Sequence, residues 1–366
     1  MLQDEDVKLD GSTMGTPVNA GRLLEFVERF VGDLGATMAA GSVVLGDRLG
    51  LYRALAECPQ HPEELAGRTG TAARYVEEWL RGQAASGYVC YDPATGKYSL
   101  TPEQAFALTD PHGPLFAPGA FELALGALRA EPEIAAAFRT GAGIPWDLHD
   151  DQVFRGCERF LRPAYTANLV PNWLPSLDGV VAKLHAGARV ADVGCGHGAS
   201  TALLAAAFPR STFVGSDPHA RSVAEAVRGA RSAGVDDRVE FETASAQTFS
   251  GGPFDLVTTF DALHDMGDPL GAARHVLRSL HPDGTWMIVE PYAGGSVPEN
   301  LGPVGRVYYS LSTFLCVPNA LSQPGGYALG AQAGEEPIRR LALDAGFGTF
   351  RRAAEAPFHL VYEAKP

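Results

Sequence analysis

An α/β domain behind a separate N-terminal helical domain is the fold class this sequence predicts, and three observations carry it. From Val180 onward, short β-branched runs alternate with amphipathic helices. Early in that stretch a short strand runs into a glycine-rich loop and then a helix. Ahead of it, apolar residues at helical spacing lead into two short strands joined by a turn. A length of 366 residues suits two domains rather than one core.

Residues 1–18 are polar and turn-rich and are expected to form a loose tail. Residues 19–110 read as a winged-helix and dimerisation domain. Leu23, Leu24, Val27, Phe30, Val31 and Leu34 fall at helical spacing, and Pro62-Glu63-Glu64 starts a further helix with proline and acids in its first turn. Thr71 opens another helix, with Tyr75, Trp79 and Leu80 on one face. Tyr88–Tyr91 and Lys97–Leu100 flank the turn at Asp92–Gly96 as a hairpin wing. Residues 111–179 read as a helical connector leaning over the active site, with Trp146 at the end of a Gly-Ala-Gly-Ile-Pro loop. Residues 180–366 are the α/β domain.

The charges bound the function. A net charge of −14 argues against a life on nucleic acid or on an anionic membrane surface, where Lys and Arg supply the affinity. Between His61 and Leu100 four basic residues face five acidic ones, and the would-be recognition helix carries Glu77 and Glu78 at its centre. That is the wrong footprint for DNA, so the winged helix is expected to pack and to form a homodimer. The five cysteines are odd in number and show no Cys-x-x-Cys, which predicts a reducing cytoplasm with neither a disulfide framework nor a zinc site. A signal peptide and a membrane-length apolar run are both lacking, so no membrane partner is expected.

The chemistry concentrates in residues 189–217. The strand Arg189–Val193 enters Gly194-Cys195-Gly196-His197-Gly198, and a helix follows. Such glycines let backbone approach a ligand closely, beside the free N–H groups of a helix start. Asp217 ends the next strand, where a carboxylate can accept hydrogen bonds from both ribose hydroxyls of a nucleoside. Gly194, Gly196 and Ala199 also fit the spacing of a dinucleotide site. Asp192, in a strand that is normally wholly apolar in such sites, suits instead a ligand with a cationic amine and no pyrophosphate. Gly198 adds a third alternate glycine.

Val190–Gly198 resembles the first motif of class I S-adenosylmethionine-dependent methyltransferases. Asp255–Asp265 resembles the fourth strand of that family with its following loop, Gly284–Glu290 the fifth strand, and Ala345–Phe347 with Phe358–Tyr362 the C-terminal hairpin. The winged helix, the Gly143-Ile144-Pro145-Trp146 loop and the Phe260–Asp268 segment together resemble a narrower group, bacterial two-domain methyltransferases common in actinobacteria. The resemblance implies a Rossmann-like, seven-stranded, mostly parallel sheet with one antiparallel strand. It also implies S-adenosylmethionine as cofactor and S-adenosylhomocysteine as product. Gly194, Cys195, Gly196 and Gly198 would line the methionine arm, Asp217 and Pro218 the ribose, and Phe260 and Asp261 the sulfonium. Where many members place an acidic adenine contact, this chain has Ser245-Ala246, so only a weaker, uncharged bond is available there. Tyr165 is a candidate for the cofactor's carboxylate.

Catalysis requires a proton acceptor if the methylated atom carries a proton. Leu263-His264-Asp265-Met266-Gly267-Asp268 resembles the segment of plant-type O-methyltransferases whose histidine is the general base. That makes His264 the candidate base, with Glu290 to orient it and Asp265 beside it. Trp146, Trp173, Tyr308, Tyr309, Ser312 and Cys316 are candidates to line a pocket for a small aromatic or hydrophobic acceptor. No carboxylate cluster of ligand spacing points to a metal. Two other readings compete: a transcriptional regulator that senses S-adenosylmethionine, which would need a basic recognition helix, and a nicotinamide dehydrogenase, which Asp192 disfavours.

Overall fold

The computed structural model describes residues 18–366, so the expected tail lies almost wholly outside the described residues. The chain divides into two compact units between Thr109 and Asp110.

The first unit holds helices α1 (Ala20–Arg48), α2 (Leu51–Glu57), α3 (Pro62–Thr69) and α4 (Ala73–Ala85), the strands β1 (Cys90–Asp92) and β2 (Lys97–Ser99), and α5 (Pro102–Thr109). Glu64 accepts the His61 N–H at 2.8 Å and closes a capping box at the start of α3. The two strands pair antiparallel, with Tyr91 opposite Tyr98. Leu51, Leu55, Leu65, Val76 and Leu80 fill the interior, and the Trp79 indole donates to the Ser42 carbonyl at 2.8 Å. On α4 each arginine pairs with the helix's own acids, Arg74 with Glu78 and Arg81 with Glu77, both at 2.5 Å. Those cations are therefore already engaged, which disfavours the regulator reading. Within this unit, Leu23, Val27, Phe30, Val31, Leu34 and Met38 of α1 remain exposed.

The second unit opens with α6 (Ala117–Leu128), α7 (Glu131–Thr140), α8 (Asp151–Asn168) and α9 (Val180–Ala186). The alternating region follows as β3 (Arg189–Val193), α10 (Ala199–Ala207), β4 (Thr212–Asp217), α11 (Ala220–Ala233), β5 (Val239–Thr243), β6 (Phe254–Phe260), α12 (Pro269–Ser279) and β7 (Leu280–Pro291). Then come α13 (Pro303–Phe314), α14 (Cys316–Ser322), α15 (Glu335–Ala345), β8 (Thr349–Ala356) and β9 (His359–Lys365). The sheet order is β5-β4-β3-β6-β7-β9-β8, and β9 alone runs opposite to the other six strands. This is the mostly parallel seven-stranded sheet with one antiparallel strand that the resemblance implies.

Strand residues alternate between two cores, as the period of a β-strand requires. Val190, Met287, Val289 and Val361 face the layer built by α9, α10 and the end of α8. Ala191, Trp286, Ile288 and Tyr362 face α12 and α15. The chain order reverses at β3, which lies between β4 and β6, so a crevice opens at the carboxyl ends of these strands. Among the described residues, no helix is long and apolar enough to cross a membrane.

Candidate active site

A cavity of about 1130 Å³ lies within the second unit at that crevice. Its floor is the glycine loop. The Gly194 and Cys195 N–H groups both donate to the Ser216 carbonyl, at 2.8 and 3.0 Å, which ties the loop to the end of β4. Gly196 sits at φ +53°, and a Cβ there would meet no protein atom within 4 Å. The position thus combines a backbone conformation that favours glycine with open space on the cavity side. Gly198 differs: a Cβ there would press on Ala226 and Phe241 at 2.9 Å. It does not line the cavity, and its role is to let α10 pack.

Asp217 does line the cavity, and burial pushes its carboxyl up. One oxygen accepts the Gly196 N–H at 2.9 Å and the other the His219 N–H at 2.8 Å, which fixes the carboxylate with lone pairs to spare. Pro218, Ser245 and Ala246 line the same end. The Ser245 hydroxyl is shared with Thr248 at 3.0 Å. His219, which the sequence reading passed over, stacks on Phe154 of α8 with ring centres 4.4 Å apart and planes 16° apart. Its place two residues beyond Asp217 was the available signal.

Asp192 departs from expectation. It is 1% exposed and does not line the cavity. Ser200 and Thr201 of α10 donate to one of its oxygens at 2.7 and 2.5 Å, and Thr258 of β6 to the other at 3.0 Å. Three hydroxyls from two elements bind this carboxylate, which ties β3 to α10 and β6 rather than lining the cavity.

At the end of β6, Phe260 and Asp261 both line the cavity, and Phe260 packs on Tyr165 with ring centres 5.2 Å apart. The Tyr165 hydroxyl donates to Asp261 at 2.7 Å. That donor is therefore already engaged, which corrects its expected use on a ligand carboxylate. His359 Nε2 lies 3.1 Å from the same Asp261 oxygen. Nothing in the local sequence marked His359, because it arrives from β9, 98 positions further on.

The loop after β6 carries the candidate base. His264 is buried, with Nδ1 2.5 Å from a Glu290 oxygen, while the other Glu290 oxygen accepts the Leu263 N–H at 3.0 Å. His264 Nε2 lies 3.1 Å from Asp265 Oδ1. Of these three, Asp265 is the one that lines the cavity. Burial opposes a charged imidazole, but the Glu290 and Asp265 carboxylates outweigh it and hold the His264 pKa well above the ordinary value. The loop is held from α14 and the turn beyond it: Asn319 and Gln323 both donate to the Asp265 carbonyl, at 3.2 and 3.0 Å, and Gln323 accepts the Gly267 N–H at 3.1 Å. Asn319 and Gln323 line the cavity as well.

The expected acceptor pocket is corrected in most of its members. Trp146 lines the cavity, placed there by a loop whose Ile144 N–H donates to the Pro318 carbonyl at 2.9 Å. Trp173 is 1% exposed within the core under the sheet, against Tyr165 and His359. Tyr308 is buried with its hydroxyl on the Phe358 carbonyl at 2.8 Å, Ser312 accepts the Ala331 N–H at 3.1 Å, and Tyr309 is part-exposed away from the cavity. Cys316 is buried behind the loop. Its sulfur, Asp265 and His264 offer donor atoms all within 4.8 Å of one another, a set of the kind transition metals accept. Burial pushes the Cys316 thiol up to about 12, so in the metal-free protein it is a protonated, packed thiol at neutral pH.

With this geometry established, known proteins give the following likenesses. Residues 184–315 match the model of a methyltransferase domain, and residues 28–110 that of an Rv2258c-like winged helix-turn-helix domain. The 27-O-demethylrifamycin SV methyltransferase of Amycolatopsis mediterranei is 36% identical over 103 residues, covering 28% of this chain and 38% of that enzyme. The ubiquinone biosynthesis O-methyltransferase of Xanthomonas oryzae is 38% identical over 111 residues, covering 30% and 45%. The chain thus spans less than half the length of the curated relatives it matches. Among solved structures, human N-acetylserotonin methyltransferase in complex with S-adenosylmethionine superposes with a TM-score of 0.69 at 18% identity, covering 97% of this chain and 99% of that one. The mitomycin 7-O-methyltransferase MmcR gives 0.67 at 18%, covering 95% and 100%. At that identity the likeness is one of fold.

Proposed function

We propose, from the match of residues 184–315 to a methyltransferase domain, that the protein transfers a methyl group from S-adenosylmethionine to a small aromatic or hydrophobic acceptor. O-methylation is favoured, with methylation of nitrogen or carbon on an indole-like ring as the variant. The observation that carries this reading is one cavity shared by the glycine loop, Asp217, Asp261 and Asp265, with the Glu290–His264 pair directly behind Asp265. The residues fit the cofactor: Gly196 leaves open space where any side chain would intrude, and Asp261 keeps a buried oxygen without a partner.

When bound, the cofactor supplies an electrophilic methyl group on a cationic sulfur. The chain's own task is to hold the acceptor and take its proton. Glu290 fixes His264 with Nδ1 toward its carboxylate, which leaves Nε2 as the accepting atom. Asp265 stands at that nitrogen on the cavity side, and the acceptor's hydroxyl takes its place there as it enters. Trp146 and Met266 offer an apolar wall for a ring, while Asn319 and Gln323 keep the loop in register.

The remaining assignments follow the same reading. The exposed apolar stripe of α1 suits a homodimer formed through the N-terminal unit. A cytoplasmic location rests on the odd number and wide spacing of the five cysteines in the sequence.

Mass spectrometry of candidate phenols, hydroxylated polycycles and indoles, incubated with protein and S-adenosylmethionine, tests the activity by a gain of one methyl group. With an acceptor in hand, His264→Ala is expected to lower kcat by about 10²- to 10⁴-fold while S-adenosylhomocysteine binds as to the wild type. Turnover near the wild-type rate would remove His264 from the role of base.

A further inference from the structure

Asp261 is held in an unusual way. Its backbone lies at φ +48°, in the left-handed region that residues other than glycine rarely adopt, and its N–H donates to the Val289 carbonyl at 2.8 Å. The side chain is 7% exposed. Tyr165 from α8 and His359 from β9 converge on Oδ2, so one oxygen is doubly engaged. The other, Oδ1, is buried and has no hydrogen-bond partner, in a residue that lines the cavity. Burial opposes the charge, yet His359 and Tyr165 hold this carboxyl below its usual range, so the group is an anion at neutral pH.

A buried anionic oxygen without a donor is costly, and a fold keeps one where a ligand completes it. The position limits which part of the ligand does so. Asp261 adjoins Ala262, whose Cβ packs on Gly194 at the start of the glycine loop. The far end of the cavity, with Asp217 and His219, is built for a nucleoside. What Oδ1 lacks is a hydrogen-bond donor. A sulfonium has no N–H or O–H to give, whereas an ammonium has three hydrogens.

Resting on the proposed cofactor, we propose that Asp261 Oδ1 receives the α-ammonium of the methionine arm. The role that the sequence offers to Asp192 passes to the neighbouring strand, because Asp192 is already satisfied by Ser200, Thr201 and Thr258.

Calorimetry on the full chain tests this with four ligands: S-adenosylmethionine, S-adenosylhomocysteine, 5′-methylthioadenosine, and an S-adenosylhomocysteine analogue with hydrogen in place of the amine. Asp261→Asn is expected to weaken the first two together by at least about tenfold, the scale of a charge-assisted bond, and to leave methylthioadenosine within about twofold. On the wild-type chain, with no mutation to disturb folding, the deaminated analogue is expected to bind at least about tenfold more weakly than its parent. Asp261→Asn should erase most of that difference. Loss confined to S-adenosylmethionine would overturn the assignment in favour of the sulfonium. Equal loss for methylthioadenosine, unchanged affinity for S-adenosylhomocysteine, or a deaminated analogue that binds the wild type as well as its parent would also overturn it. Wild-type protein that binds none of the four would overturn the cofactor reading, and this assignment with it.

Discussion

Strands β3 and β6 lie side by side and parallel, with Asp192 paired in register to Thr258, and each brings a buried carboxylate to the carboxyl end of the sheet. The two acids behave differently. Asp192 sits inside its strand and accepts three hydroxyls. Asp261 sits one residue past its strand, is filled at one oxygen and empty at the other, and faces the cavity. Both are buried and both stand near a strand end, so neither fact tells a ligand contact from a structural tie. The count of donors does. A carboxylate whose lone pairs are met by protein holds the fold together, while one left partly unmet at a cavity wall is available to a ligand.

The largest effect expected from breaking this contrast is on stability. Asp192→Ala would leave the Ser200, Thr201 and Thr258 hydroxyls without their common acceptor and should cost about 3 kcal/mol, read as a lower urea midpoint. The folded fraction should still bind S-adenosylhomocysteine. A variant as stable as the wild type but unable to bind would reverse the roles given to the two acids.

A third carboxylate, Glu290 at the end of β7, sharpens the comparison because it acts on a titrating neighbour. It favours the protonated form of His264, and a base must lose that proton to work. The acidic limb of kcat/KM against pH should therefore lie above the ordinary imidazole range. Glu290→Gln removes the stabilising charge, lowers the His264 pKa and should move the limb to lower pH, with a reduced plateau. A limb that stays in place would separate Glu290 from the base.

The smallest change tests a single donor. Thr201→Val removes one of the three hydroxyls on Asp192 while keeping the side chain's shape. It should cost about 1 kcal/mol without altering cofactor affinity. A marked loss of affinity would mean that Asp192 reaches the ligand after all.

The same contrast explains what could be read in the chain before its fold was known. Sheet, glycine loop and the cavity-lining Asp217 were legible because each is local: strand period, a run of alternate glycines, and a carboxylate where a strand stops. His264 was legible through the segment around it. The role of Asp192 was not, since its partners come from α10 and β6 and a serine or threonine announces no acceptor. His359 was invisible for the same reason, contributed by a strand far along the chain. The insertion's aromatics misled in another way. Composition shows that Trp173 and Tyr308 are large and partly apolar, but only packing shows that they fill cores and leave the cavity to Trp146, Asn319 and Gln323.

The central claim is that this cavity holds S-adenosylmethionine against the glycine loop. Titration of the full chain with S-adenosylhomocysteine, beside the Gly196→Val variant, tests it most directly. A side chain at φ +53° facing open cavity should abolish binding without unfolding the domain. The account predicts one site per chain for the wild type and none for the variant. A wild-type protein that releases no heat, or a variant that binds as well as the wild type, would contradict it.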